Sequence, residues 1–146
     1  MRTLTYTSYG ILNNKPWNFI PWLKDAPAIA DCLKQIAYIN LSKMPANTTT
    51  SMSALREKFK IWRPIVLKQI AVYNPDILIF GNTFQYLKKD LFNGREIPHK
   101  DYDGFWAYSF EEKLYVWAYH PGARIKQEKY VNTIVQIVND WKQGKL

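Results

Sequence analysis

The sequence predicts an α/β protein: a three-layer α/β/α domain with a mostly parallel central sheet. Three observations carry this. Ile77-Leu78-Ile79-Phe80 is an unbroken apolar run between a proline turn and Gly81, the pattern of a parallel strand covered on both faces. Val131, Ile134, Val135, Val138 and Trp141 recur at helical spacing near the end of the chain. Between them the order reads helix, strand, helix, strand, helix, hairpin, helix, which suits a layered domain with crossover connections.

The elements follow in order. Residues 1–26 read as an irregular N-terminal segment, because Gly10, Asn13-Asn14, Pro16 and Pro21 punctuate it. Trp17, Phe19 and Trp22 are expected to pin that loop to the body. The alternating Thr and Tyr within Arg2 to Leu12 also suit an edge strand folded back on the sheet. Pro27 begins a helix to about Gln35, with Ile29, Leu33 and Ile36 on one stripe. Ala37-Tyr38-Ile39 is a short buried strand ending at Asn40. Ser42 to Ser51 is a loop, rich in threonine and broken by Pro45. A helix spans about Ser53 to Tyr73, and Pro64 should kink it or start a second helix after Trp62. Asn74-Pro75-Asp76 ends it. After the strand at 77–80, Asn82 or Thr83 caps a helix to about Leu91. Phe92 to Gly104 is a polar loop. Phe105 to Phe110 and Leu114 to Tyr119 are strands joined at Glu111-Glu112, and His120-Pro121-Gly122 closes the second. The last helix runs from about Gln127 to Trp141.

The length of 146 residues fits one domain, 1–146. The net charge is +8, and it is clustered: +5 over residues 41–70 and +3 over 120–146, against −2 over 71–119. That distribution suits either a phosphate-backbone partner or a solvated helix face. A single cysteine, Cys32, excludes an internal disulfide and any four-cysteine metal site. An apolar content of 47% excludes disorder. No apolar run reaches the ~18–20 residues of a membrane span, and Met1 to Gly10 carries no secretory core. A soluble, cytoplasmic protein with no membrane partner is the expectation.

Ligands of open α/β sheets bind beyond the carboxyl ends of the strands. Three polar landmarks are expected there: Asn40, Gly81-Asn82 and His120. Their segments are Tyr38-Ile39-Asn40-Leu41-Ser42-Lys43-Met44-Pro45, then Pro75-Asp76-Ile77-Leu78-Ile79-Phe80-Gly81-Asn82, then Tyr119-His120-Pro121-Gly122-Ala123-Arg124. In this order and spacing the chain, over roughly residues 15–141, resembles the uracil-DNA glycosylase superfamily, most closely its bacterial and archaeal iron–sulfur branch.

The resemblance implies a uracil-DNA glycosylase-like fold and a flipped base read in a pocket before its N-glycosidic bond is cut. It places Asn40 on the pyrimidine edge, where an amide offers one donor and one acceptor. It places His120 as the catalytic group that stabilises charge on the departing base. Trp17 after Pro16 matches the base-stacking aromatic, with Phe19 beside it, and Gly81 and Asn82 complete the base-binding set. Lys43, Gly122, Arg124 and Lys126 are the expected nucleic-acid contacts. The implied partner is DNA or a nucleobase or nucleotide.

Two departures shape the expectation. Lys43-Met44 stands where that branch has a cluster cysteine, so no cluster and no other cofactor or metal is expected. The family's first apolar strand, with the loop that activates water, would fall at or before residue 5. Arg2 to Thr7 does not supply it. Asp25 and Asp76 are the nearest carboxylates in sequence, and neither is well placed. An impaired or truncated glycosylase is therefore one reading. The alternatives are a non-catalytic nucleotide or nucleic-acid binding module, and an interaction protein using the fold as scaffold. The unpaired strand edge left by a missing first strand predicts a homo-oligomer. The same residues also have structural readings: Asn40 as a turn former, His120 as a strand terminus, Trp17 as core, Gly81-Asn82 as a turn and cap, Asp101-x-Asp103-Gly104 as a surface turn and Cys32 as a small buried hydrophobe.

Overall fold

The computed structural model describes residues 2–41 and 52–146. Its regular elements are α1 (Arg2–Asn13), α2 (Met52–Tyr73), β1 (Ile77–Gly81), α3 (Phe84–Leu91), β2 (Lys100–Tyr102), β3 (Phe105–Phe110), β4 (Lys113–Ala118) and α4 (Gln127–Lys142). Two 3₁₀ segments, Trp17–Phe19 and Pro27–Gln35, lie between α1 and α2.

The sheet has the order β1-β4-β3-β2. Only β1 and β4 are parallel; β4–β3 and β3–β2 are antiparallel. The expected mostly parallel sheet is thus corrected to a mostly antiparallel one with a single parallel pair. Two tight turns decide it. Glu111 and Glu112 both take positive φ, 49° and 61°, between β3 and β4. Asp103 and Gly104 do the same, at 55° and 84°, between β2 and β3. Two-residue loops of this hand connect antiparallel strands. The apolar run of β1 reports burial, not direction.

Side chains alternate across the sheet. Leu78, Phe80, Tyr108 and Tyr115 face the layer made by Phe59 and Val66 of α2 and Phe84 and Leu87 of α3. Phe105, Ala107, Leu114, Val116 and Ala118 face Tyr130, Ile134, Ile137 and Val138 of α4. Helices therefore cover both faces. Ala37 to Asn40 is not a strand, which corrects the expectation there. Leu41 is buried in the α2–α3 layer and Ile39 packs against it, so alternate side chains hold this stretch without a ladder.

The N-terminal segment is the largest local correction. Arg2–Asn13 is neither irregular nor an edge strand but a helix whose buried residues are Thr3, Thr5, Tyr6, Thr7, Ser8 and Gly10. Its propensity is poor, and packing against α4 overrides it. A Cβ on Gly10 would come within 2.9 Å of Val135 Cγ2, so only glycine lets the two helices approach this closely. Thr7 donates its hydroxyl to the Thr3 carbonyl at 2.7 Å, which satisfies a buried polar group.

Several boundaries follow from asparagine and glycine. Lys15 donates to the Gly10 carbonyl and Asn14 to that of Ile11, closing α1 with Asn14 at a φ of 52°. Asn93-Gly94 closes α3 and Gly144 closes α4 in the same way. Asn74, at a φ of 41°, donates to the Ile70 carbonyl and ends α2. Pro64 lies inside α2 and does not end it. It sits on the exposed side, where water can take the Lys60 carbonyl that loses its donor. The expected loop from Phe92 to Gly104 contains β2, and the expected helix at Pro27–Gln35 has the tighter 3₁₀ form.

Candidate functional site

β1 and β4 run side by side and end together at Gly81 and Ala118. The Asn82 N–H donates to the Ala118 carbonyl at 2.9 Å, one step beyond the last paired residues. Asn82 then takes φ 57°, and its carbonyl accepts the Gln85 side-chain amide at 3.1 Å. Asparagine tolerates this left-handed conformation better than other side-chain-bearing residues. The turn aims the chain from β1 into α3 and leaves Asn82 exposed at the strand end.

His120 stands beside it. A Cβ on Gly81 would lie 3.2 Å from His120 Cα and 3.0 Å from Pro121 Cδ. The Gly122 N–H donates to His120 Nδ1 at 3.0 Å. In the neutral ring this assigns the proton to Nε2. The Tyr119 carbonyl accepts the Tyr130 hydroxyl at 3.0 Å. Burial pushes the Tyr130 phenol far above its ordinary range, so it stays a donor.

A cleft of about 170 Å³ opens at this end of the sheet, lined by Asn82, Gly104, Trp106, Trp117, Ala118 and Tyr119. Trp106 and Trp117 are cross-strand partners with ring centroids 4.7 Å apart and planes at 88°. His99 lies against Trp106 from outside, at 5.0 Å between centroids. Gly104, at a φ of 84°, passes so close to the Tyr119 hydroxyl that any Cβ would collide with it. No lining residue is a carboxylate. Among the described residues no three His, Cys, Asp or Glu side chains gather into a group that could hold a metal ion.

The structure brings together Gly81, Asn82, His120 and Gly122 of the expected site. It does not bring Asn40 to a strand end: Asn40 is exposed, between two residues packed on the α2–α3 layer. Trp17 is elsewhere too. It packs with Tyr6 and Trp22, its backbone N–H donates to Asn132 Oδ1 of α4 at 2.8 Å, and it lines a second cavity that shares no residue with the first. Phe19 is 70% exposed and lines neither cavity. Arg124 and Lys126 are exposed in the turn between β4 and α4, without an ion-pair partner among the described residues. Lys43 lies outside the described residues. Asp76 is at the opposite end of β1, where its carbonyl accepts the Leu114 N–H. Asp101 does serve a surface turn, accepting the Gly104 N–H at 2.9 Å.

Trp106, Trp117 and Tyr119 are the residues that sequence reasoning missed. Their signal was present: alternation within Phe105–Phe110 and Lys113–Ala118 puts both tryptophans on one face once the Glu111-Glu112 turn sets the register.

No helix among the described residues is long and apolar enough to cross a membrane. No protein-family model, no curated protein and no solved structure matches the chain.

Proposed function

We propose that the chain binds a nucleobase, free or flipped from a nucleic acid, in the cleft beyond β1 and β4. The single observation behind this is the lining itself: two indoles at right angles, a phenol, and Asn82 at one wall. A planar ring can stack on one indole, meet the second with its rim, and present its polar edge to an amide. His120 follows Tyr119 at the same strand end and would bring Nε2 as a further donor. Arg124 and Lys126 follow it in sequence and supply charge for a phosphate backbone.

Of the residues that carry the likeness to uracil-DNA glycosylases in the sequence, Asn82 and His120 meet at this strand end, and Asn82 would take the edge-reading role that the likeness gave to Asn40. Among the described residues no carboxylate lines the cleft to activate water. That favours recognition over hydrolysis, since general-base assistance contributes about 10²–10⁴-fold.

The test is titration with uracil, thymine, cytosine and adenine, and with uracil-containing oligonucleotides, alongside a glycosylase assay. Asn82→Gly keeps the left-handed backbone and removes the amide. Saturable binding that falls about 3- to 10-fold in Asn82→Gly, the size of one lost hydrogen bond, supports the reading. Equal binding by the variant, or no binding of any base, overturns it. Base release by the wild type would restore the enzyme reading.

A further inference from the structure

The second cavity, about 150 Å³, is lined by Tyr6, Trp17, Asn18, Ile20 and Trp22. Its three rings are close to mutually perpendicular. Tyr6 and Trp17 meet at 76° with centroids 5.1 Å apart, Trp17 and Trp22 at 87° and 5.6 Å, Tyr6 and Trp22 at 90° and 6.4 Å. None stacks on another. None of the five lining residues carries a charge.

The corner is held from three directions. Tyr6 is buried on α1, and its hydroxyl accepts the Leu23 N–H at 3.1 Å. The Trp17 backbone N–H is tied to Asn132 of α4. Trp22 sits in the loop between the two 3₁₀ segments, 56% exposed, and forms the outer wall.

From this we infer that Trp17 and Trp22, backed by the buried Tyr6, form an aromatic corner that binds a trimethylammonium group. Two rings at right angles with centroids about 5–6.5 Å apart can both face a point about 4–4.5 Å from each, inside the ~6 Å reach of a cation–π contact. A planar base in the same corner would stack on one ring and meet the others with its rim. A near-spherical cation presents the same surface to both indoles. The volume fits as well, since a cavity near 150 Å³ takes a benzene-sized guest, about the bulk of tetramethylammonium. Indole is the strongest of the aromatic cation-binding faces, and two of the three walls are indoles.

The experiment follows the N-methyl proton signal of tetramethylammonium and of choline on titration with the full chain. A saturable upfield shift is expected, because ring faces shield a guest held over them. 3,3-Dimethylbutanol, the neutral carbon isostere of choline, should bind about 5- to 30-fold more weakly, the ratio that a desolvated cation–π contact supplies. Trp22→Ala should weaken choline by a similar factor, and Trp22→Phe should recover part of it. Trp22 is half in solvent, so both variants keep the core. Choline binding tighter than an N-trimethyl-lysine ester assigns a free solute as the source; the reverse assigns a methylated lysine side chain. Lack of a saturable shift, equal binding of the neutral isostere, or an unchanged Trp22→Ala variant overturns the inference.

Discussion

Gly81 and His120 are in such close contact that a methyl group on the glycine would stand 3.2 Å from the histidine Cα. The approach of the two strand ends depends on that missing side chain. Gly81→Ala is therefore expected to lower stability by about 1–3 kcal/mol, the range of an overpacked site. It should also push the His120-Pro121 turn away from Asn82 and weaken base binding. Thermal unfolding and base titration on one sample check both. A variant as stable as wild type would mean that the turn yields freely.

The β3–β4 turn is built from the wrong residues for its shape. Glu111 and Glu112 occupy positive φ, where asparagine and glycine are preferred. Glu111→Asn with Glu112→Gly should raise stability by about 1 kcal/mol or more. A higher denaturant midpoint with unchanged slope is the expected result, and an unchanged midpoint contradicts it.

Alkaline pH should unfold this protein through its tyrosines. Burial raises the phenols of Tyr130, Tyr108, Tyr115 and Tyr102. A folded value above the unfolded one means the stabilisation is complete below about pH 10 and is lost as pH climbs toward the folded values. Each such tyrosine contributes a slope of at most about −1.4 kcal/mol per pH unit in that window, approached by Tyr130, the most strongly raised. Tyr130→Phe should flatten the limb by one such step. It should also cost about 1 kcal/mol at neutral pH through loss of the bond to the Tyr119 carbonyl. Urea midpoints from pH 7 to 11 measure both effects.

If a nucleic acid is the carrier of the base, binding should weaken steeply with salt. Arg124→Ala should reduce the log–log slope by about 0.9 for each phosphate contact removed. Lys43→Ala tests the other charge cluster. A flat salt response would exclude phosphate contacts as the driver.

The outer edge of β1 is unpaired among the described residues, and Ile79 on it is exposed. Ile61, Ile65 and Val72 of α2 are exposed as well. The N-terminal residues cannot cap that edge as a strand, since they form the helix α1, packed on α4. A dimer mass in light scattering at micromolar concentration is the expected outcome. A monomer mass rejects it.

The legible parts of this chain were those where local chemistry decides. Asn74, Pro75 and Gly81 frame β1; Val131 to Trp141 trace α4; Asn82 and His120 mark the strand ends. What stayed hidden needed partners distant in sequence. α1 is a helix because Gly10 lets it press on Val135, a contact across 125 residues. The same Thr and Tyr residues read as an edge strand when only their neighbours are considered. Asn40 misled because an apolar run ending in asparagine looks the same with or without a ladder beside it. The Asp103-Gly104 turn was legible as a turn, but not as the hairpin that adds β2, because Lys100 to Tyr102 is too short and polar to read as a strand.

The docking of α1 on α4 rather than on the sheet also sets how the molecule breathes. Its partners are α4, the Pro27–Gln35 segment and the loop carrying Trp17 and Trp22. This outer shell can detach as one cooperative unit while the sheet keeps its ladders, so its amides should exchange with solvent at a lower free energy than those of β4. Tyr6 leaves with α1, and the aromatic corner exists only while the shell is closed. A guest in that corner would therefore slow exchange of the α1 amides and leave those of β4 unchanged, a fingerprint readable without knowing the guest's biological source.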